Sequence, residues 1–170
     1  MGSSAEIKRA AVFDGSGQFR YSLLRRWGGG TGRVAMILLN PSTADATQDD
    51  PTLRRCIGFA RRWGFASLEV VNLFAYRATR PQQLRQAADP VGPENDDHLV
   101  RAVRNAGVVV AAWGVHGALA GRNETVLRML DGLGLSLSCL GLTKTGHPRH
   151  TLYLPNRTPL IPFLPDAPGR

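Results

Sequence analysis

The sequence predicts an α/β protein, a three-layer αβα sandwich with a mostly parallel four-stranded central sheet and an additional N-terminal hairpin. Two observations lead to this fold class. Four short apolar runs recur along the chain, and segments with helix-start signals lie between them. Strands that alternate with helices favour a parallel sheet that is covered on both faces. Because such sheets bind ligands outside the carboxyl ends of their strands, we expect functional residues where each strand ends.

The first predicted element is a hairpin over residues 10–27. Residues 11–13 precede a turn at Asp14-Gly15-Ser16-Gly17, and residues 19–27 alternate partly between apolar and polar side chains. A glycine-rich loop follows at residues 28–32. No Gly-Lys-Ser/Thr comes after it, so we interpret it as a connection and not as a phosphate-binding loop.

Continuous apolar runs predict the four core strands, since strands buried on both faces have this pattern. The runs cover residues 34–39, 68–74, 108–113 and 135–140. Asp50-Pro51 combines an N-cap with proline at the first helical position and predicts a helix to about residue 63. Further helices are predicted to begin at Pro81, at Pro93 and at about residue 120.

The chain length fits one domain over residues 1–170, with a flexible start at residues 1–8 and a proline-rich C-terminal tail at residues 155–170. A chain of 170 residues is long enough to bury a core without disulfides. We see no internal repeat and no linker.

The charge balance points to nucleic acid. The formal net charge is +8, and Lys8 and Lys144 are the only lysines among 21 basic residues. Arginine matches phosphate oxygens bidentately and stacks on bases, so this bias predicts DNA, single- or double-stranded, as the partner. A GC-rich genome, which favours arginine codons, is the alternative explanation.

Other partners and cofactors have no sequence signal. Cys56 and Cys139 lie far apart, and the four histidines show no His-Glu-x-x-His spacing. We therefore expect no metal, no cofactor and no obligate protein partner. No secretory signal and no apolar run of about 20 residues is present, so we expect no membrane association and a cytoplasmic, nucleoid-associated location.

Polar clusters follow three of the predicted strands. They are the segment from Asn40 to Asp45, the single Asn72, and the segment from Thr143 to His150. Each has a purely structural alternative: a turn former, a satisfied buried amide and ordinary loop histidines. Together, however, two amides and an imidazole fit the cleavage of a glycosidic bond. One amide can orient water, the second can bind the edge of a base, and the imidazole can stabilise the departing base.

Five segments carry a resemblance to a known family. They read VAMILLNPSTADATQDD (34–50) followed by DPTLRRC, VVNLFAYRATRP (70–81), GPENDD (92–97), VVVAAWGVHG (108–117) and CLGLTKTGHPRHTLYL (139–154). In this order they resemble the bacterial family DUF1643. That family in turn resembles a distant branch of the uracil-DNA glycosylase superfamily, which implies a uracil-DNA-glycosylase-like fold and activity.

The resemblance assigns roles to three residues. Asn40-Pro41 is similar to the Asn-Pro of a Gly-Ile-Asn-Pro-Gly motif in which the asparagine positions the attacking water, with Ser42 in place of glycine. Asn72 is similar to an asparagine that recognises the pyrimidine. His150 is the counterpart of the histidine in a His-Pro-Ser motif, with Thr151 where proline is expected, and His147-Pro148 is a rival match.

The remaining candidates complete a substrate-binding surface. An amide takes up no proton near neutral pH, so we expect Asp45 to serve as the base, with Asp49 and Asp50 as alternatives. Pro41 and Ser42 are expected to bind substrate. Phe74 and Tyr76 are candidates for stacking on an everted base, with a core role as the alternative. The residues expected to contact phosphates are Arg54, Arg55, Arg77, Arg80, Lys144 and Arg149.

The sequence therefore predicts a monofunctional DNA base-excision glycosylase that hydrolyses the N-glycosidic bond of uracil or another damaged or modified base. Such an enzyme has to extrude its target nucleotide from the stack. Two alternatives stay open: a non-catalytic nucleic-acid-binding module, and an enzyme that acts on free nucleotides.

Overall fold

The computed structural model describes residues 7–28 and 30–165. Seven strands form one mixed sheet in the order β1-β2-β4-β3-β5-β6-β7. The strands are β1 Lys8–Phe13, β2 Arg20–Arg26, β3 Arg33–Leu38, β4 Ser67–Asn72, β5 Val108–Ala111, β6 Leu137–Cys139 and β7 Ile161–Phe163. The helices are α1 Pro51–Arg62, α2 Pro81–Gln86, α3 Asn95–Arg104 and α4 Arg122–Gly132, and a 3-10 segment, Val115–Gly121, precedes α4.

The centre of the sheet is parallel and its two margins are antiparallel. β4, β3, β5 and β6 run parallel to one another, whereas β2 pairs antiparallel with β4 and β7 pairs antiparallel with β6. In the centre, Leu38 at the end of β3 lies opposite Asn72 at the end of β4. The carboxyl ends of these two strands therefore meet at one edge of the sheet.

Two apolar cores lie on opposite faces of the sheet. Helix α1 packs on one face through residues that include Leu53 and Phe59. The other face carries α2, α3 and α4, with Leu84, Leu99 and Leu130 among the buried side chains. Helix α1 begins where Asp50 accepts a hydrogen bond from the Leu53 N–H (2.8 Å) and Pro51 occupies the first turn. This cap fixes the start of α1 close to the carboxyl ends of β3 and β4.

The α/β class is as predicted, but the predicted mostly parallel four-stranded central sheet is wrong. The hairpin is not an appendage, because β2 pairs with β4 and extends the sheet by two strands. β7 extends it at the opposite margin. Without these strands, both edges of the parallel centre would have unpaired backbone N–H and C=O groups. β2 and β7 form hydrogen bonds with those edges. Hydrophobic periodicity shows which residues are buried but not which edges pair.

Both ends of the chain also differ from expectation. Lys8 already belongs to β1, so the flexible start predicted for residues 1–8 does not reach that far, and residues 1–6 lie outside the described residues. The stretch from residue 155 was expected to be a tail, yet it contributes β7. Pro162 fits there because β7 is an edge strand, where a missing N–H leaves no gap in the sheet. Residues 166–170, and Gly29 of the glycine-rich loop, lie outside the described residues.

Within residues 7–28 and 30–165, no helix combines the length and the apolar character needed to cross a membrane.

Candidate functional site

A cavity of about 240 Å³ opens at the carboxyl ends of β3 and β4, beside the first turn of α1. Its walls come from β2, β3, β4, the loop after β3, the start of α1 and the loop that carries His150. The lining residues are Arg20, Leu23, Leu38, Leu39, Asn40, Ser42, Ala44, Asp50, Thr52, Leu53, Val70, Ala78, Thr79 and His150. Polar and apolar side chains therefore line this cavity together.

Asn40 lines this cavity with a fixed amide. Its Nδ2 donates to the carbonyl oxygens of Pro41 (2.9 Å) and Ala78 (2.7 Å). The Ala78 N–H in turn donates to the Pro41 carbonyl (3.0 Å), which ties the two loops together. Both amide hydrogens of Asn40 are therefore used, and Oδ1 is left as an acceptor. An acceptor in this position can hold a water molecule or an N–H of a ligand.

His150 lines the same cavity and has a defined tautomer. The Leu152 N–H donates to His150 Nδ1 (3.1 Å), so the proton of the neutral ring is on Nε2. Burial lowers the pKa of His150 below its ordinary value of 6.5, and nearby Asp50 partly opposes this shift. Thr151, the next residue, is buried with its hydroxyl 3.6 Å from Cys56 Sγ. His150 is thus held as a neutral hydrogen-bond donor.

His147, the rival histidine, does not line the cavity. It lies in a turn in which its N–H donates to the Thr143 hydroxyl (3.1 Å) and its carbonyl accepts from the Thr143 N–H (2.8 Å). The geometry therefore brings His150, and not His147, together with Asn40.

Asp50 is the carboxylate that lines the cavity, whereas Asp45 does not line it. Asp45 accepts hydrogen bonds from the N–H groups of Thr47 (2.8 Å) and Gln48 (2.8 Å), and these bonds lower its pKa. One oxygen of Asp50 accepts from Leu53 as the N-cap of α1. Its second oxygen has no hydrogen bond among the described residues and is free to accept a proton from a bound water.

Arg20 reaches the cavity because of a β-bulge. Val12 pairs with Ser22, but Phe13 pairs with Arg20, so Tyr21 is an extra residue in β2. The bulge turns Tyr21 towards His98 of α3, on which its ring stacks, and turns Arg20 to the side of α1. Sequence alternation alone would have placed Tyr21, and not Arg20, on the face of Leu23. Arg20 was missed for this reason.

Asn72 lies near the cavity but does not line it. Two-residue alternation puts its side chain on the same sheet face as Val70, which does line the cavity. The Asn72 side chain is completely buried, and neither Nδ2 nor Oδ1 has a hydrogen-bond partner in the described part of the chain. Each unpaired buried polar atom costs about 1–3 kcal/mol. Because its side chain is sealed from solvent and does not line the cavity, the structure does not bring Asn72 to the site with Asn40 and His150.

The four other predicted substrate-binding residues fall into different places. Ser42 lines the cavity, and Pro41 is buried behind it as a hydrogen-bond acceptor for Asn40. Phe74 is completely buried in the core on the opposite face, and Tyr76 packs against that core. The structure therefore does not bring Phe74 or Tyr76 to the cavity.

The six predicted phosphate contacts divide into exposed and half-buried side chains. Arg54, Arg80, Lys144 and Arg149 are exposed, and Arg54 also donates to the Asp49 carbonyl (3.2 Å). Arg55 is half-buried and donates to the Leu154 carbonyl and the Asn156 side chain. Arg77 donates to the Gly17 carbonyl (3.1 Å) and lies over the Phe13 ring.

One exposed aromatic residue was also missed by sequence reasoning. Tyr153 lies three residues after His150, with 92% of its surface exposed and a left-handed backbone (φ 71°). Bulky residues rarely adopt this conformation. The signal available in the sequence was only its place in the segment that contains His150.

The fold and the cavity define a class: an α/β protein with a mixed sheet and a polar cavity at the carboxyl edge of its parallel strands. The described residues contain no group of three or more His, Cys, Asp or Glu side chains arranged to hold a metal ion. The sequence model of a family described as "Protein of unknown function (DUF1643)" matches residues 20–152. This match covers well over half of the chain, so the protein belongs to the DUF1643 family.

No curated protein matches the chain, and no solved structure matches it. These comparisons contain no link to the uracil-DNA glycosylase superfamily, so that resemblance stays a prediction.

Proposed function

We propose that this protein is a base-excision enzyme that hydrolyses the N-glycosidic bond of uracil or a related modified base in DNA. The observation that carries the proposal is that Asn40 and His150 line one cavity although they are 110 positions apart in the sequence. At about 240 Å³ this cavity is smaller than the roughly 300–1,000 Å³ pockets that hold drug-sized ligands. A single everted nucleotide is therefore a better fit than a longer segment of nucleic acid.

The proposed reaction begins with a water molecule that donates a hydrogen bond to Asn40 Oδ1. Because both Nδ2 hydrogens are held by backbone carbonyls, the amide oxygen has one orientation and offers the water a fixed acceptor. The water oxygen attacks C1′ of the sugar, and its proton passes to the free oxygen of Asp50. A positioned carboxylate base contributes typically 10²–10⁴-fold to rate.

As the water attacks, the bond between C1′ and the base nitrogen breaks, and the base leaves with the electron pair. The Nε2–H of His150 donates to the oxygen on which the charge of the departing base develops. A neutral donor suits this role because its position is fixed before the reaction, so no reorganisation is needed as charge develops. The base then takes a proton from solvent, and the DNA is left with a hydrolysed, abasic sugar.

DNA as the substrate is supported by exposed cations that neighbour cavity-lining residues in the sequence. Arg54 lies in the first turn of α1, Arg80 follows Thr79 of the cavity wall, and Arg149 precedes His150. Exposed Tyr153 adds an aromatic face on which a base can stack, a contact that contributes about 1–3 kcal/mol in single-stranded complexes. Phosphate contacts of this kind make binding fall steeply with salt.

The direct test is incubation with single strands and duplexes that carry uracil, hypoxanthine or modified pyrimidines, with released base and abasic sites as the readout. The proposal expects excision of at least one of these bases. His150→Ala should lower the rate about 100- to 1,000-fold, since one lost donor to developing charge costs roughly 2.7–4 kcal/mol.

His147→Ala is the matched control, because it changes a histidine of the same loop that does not line the cavity. We expect it to retain the wild-type rate. Equal loss in both variants, or no excision of any base by the folded wild-type protein, contradicts the proposal. Salt-sensitive DNA binding without excision would instead identify a non-catalytic binding module.

A further inference from the structure

Arg20 is a buried cation without a counter-ion in contact. Only 3% of its surface is exposed, and it lines the cavity. Its Nη1 donates to the Ala44 carbonyl (2.8 Å), whereas its buried Nε has no partner among the described residues. No carboxylate oxygen of the described residues lies within 4.0 Å of its guanidinium.

The two other arginines buried in the described part of the chain are both paired. Arg25 donates Nε to Asp49 (2.9 Å) and further hydrogen bonds to three backbone carbonyls. Arg122 donates to Asp96 (2.6 Å) and to the Leu73 carbonyl (2.8 Å). Buried charges are ordinarily paired in this way because desolvation penalises them. Arg20 departs from this pattern, and it does so in the wall of a cavity.

The surroundings of Arg20 add further donors. Ser42 and Thr52 of the cavity wall carry hydroxyl groups without a hydrogen bond among the described residues, whereas the Thr79 hydroxyl donates to Gln83 Oε1 (3.3 Å). In the first turn of the 12-residue helix α1, Pro51 has no N–H and the Leu53 N–H is taken by Asp50. The Thr52 N–H is left free among the described residues. Hydroxyls, a free N–H and a guanidinium fork together are the groups that bind phosphate oxygens.

The carboxylate of Asp50 repels anions, so a bound anion has to lie away from it. Its carboxylate lines the cavity as well, but it is not in contact with Arg20. The cavity therefore has a cationic part at Arg20 and an anionic part at Asp50. A ligand that carries both a phosphate and a group to be attacked by water matches this division.

We infer that Arg20 forms a phosphate-binding subsite, and that the ligand enters the cavity with a phosphate group next to the sugar and base. The phosphate is either the diester of an everted nucleotide in a strand or the monoester of a free nucleotide. As a substrate subsite this inference rests on the proposed function, although phosphate binding itself can be measured without catalysis.

The test is calorimetric titration with inorganic phosphate, 2′-deoxyuridine 5′-monophosphate, 2′-deoxyuridine and a short uracil-containing single strand. We expect the monophosphate to bind more tightly than the nucleoside. Arg20→Gln should weaken phosphate and monophosphate binding about 10- to 100-fold, which is the usual effect of one lost charge-assisted contact, and leave nucleoside binding unchanged. Arg128→Gln is the matched control, since it removes one exposed arginine charge on α4, across the sheet from the cavity.

A second measurement uses the wild-type protein and so does not depend on the folding of a variant. In an NMR titration with phosphate, the Arg20 Nε–H signal should shift, while that of Arg25, already bonded to Asp49, should not. Equal binding by Arg20→Gln and Arg128→Gln, or no shift at Arg20, overturns the subsite. A preference for the strand indicates the diester, and a preference for the monophosphate indicates the free nucleotide.

The two proposals can fail separately. Arg20-dependent phosphate binding without base excision would remove the proposed reaction and keep the subsite. Base excision that is unaffected by Arg20→Gln would keep the reaction and remove the subsite.

Discussion

The two ends of strand β2 carry buried arginines that differ in what surrounds them. At one end, Arg25 is fully buried, and its guanidinium donates to Asp49 and to the carbonyls of Asp45 and Gln48. At the other end, beyond the bulge at Tyr21, Arg20 is equally removed from solvent but has one backbone partner. Arg25 holds the loop before α1 through these hydrogen bonds, whereas Arg20 lines the cavity beside the start of α1.

The difference shows how one strand supports both stability and function. Burial lowers the pKa of Arg20 to about 10, an effect that Asp50 partly opposes, so the side chain keeps its charge at neutral pH. A charge that is buried, unpaired and still present favours an anionic ligand. Strain or unpaired polarity of this kind is tolerated where the rest of the structure is well packed, and it concentrates at functional sites.

The largest expected effect is on the rate of base excision and comes from changing Asp50, which lines the same cavity as Arg20. Asp50→Asn should lower base excision by 10²-fold or more, because the amide cannot accept the proton of the attacking water. Asparagine caps helices as well as aspartate does, so stability should change by less than about 0.5 kcal/mol. Single-turnover kinetics together with urea unfolding check both parts. Retained excision would mean that the proton goes elsewhere.

The next effect separates the two arginines directly. Arg25→Met should destabilise the protein by about 3 kcal/mol, since it leaves Asp49 and two loop carbonyls without their donor. Because Asp49 is 17% exposed, we expect a destabilisation at the lower end of the range for a broken buried ion pair. Arg20→Met should change stability by less than about 1 kcal/mol, because the loss of one hydrogen bond is offset by removal of an unpaired buried charge. Urea denaturation compares the two, and equal destabilisation would show that Arg20 is structural too.

The smallest effect is a pH dependence that comes from His150. Because burial lowers the pKa of His150 in the folded state below 6.5, the unfolded chain binds the proton more readily. The stability due to the neutral ring is therefore complete above pH 6.5 and declines as the pH falls below that value. The loss is at most about 1.4 kcal/mol for each pH unit.

The control for this prediction is the same series of unfolding curves on His150→Gln. The pKa of His98 is also lowered, chiefly by burial, but His98 is present in both proteins and its contribution cancels in the difference. Wild type should lose more stability than His150→Gln between pH 7 and pH 5. Parallel curves would mean that His150 is not held neutral by the fold.

The order of secondary-structure elements could be predicted from the sequence, because apolar runs and proline at helix starts report on local structure. The helix at Pro51–Arg62 and the strand at Arg33–Leu38 follow from such signals. The pairing of β2 with β4 could not, since any extended segment can satisfy an open sheet edge. Strand β7 could not be predicted either, because proline within a short apolar run argues against a strand.

The candidate site was predictable to the extent that it lies at strand ends. The sequence pointed to Asn40 and His150, and both line the cavity. The choice of Asp45 over Asp50 could not be tested in sequence, because carboxylates five positions apart differ only in how the loop folds. Arg20 depends on a bulge, and a single inserted residue exchanges the two faces of a strand without a signal in composition.

The most direct test of the proposed hydrolysis is to follow the oxygen atom of the attacking water. Excision of the best substrate in ¹⁸O-labelled water should release the base unlabelled and leave one abasic sugar for each base released, because the oxygen of the attacking water goes to the sugar. A labelled base, as deamination or another attack on the ring would give, contradicts hydrolysis of the glycosidic bond.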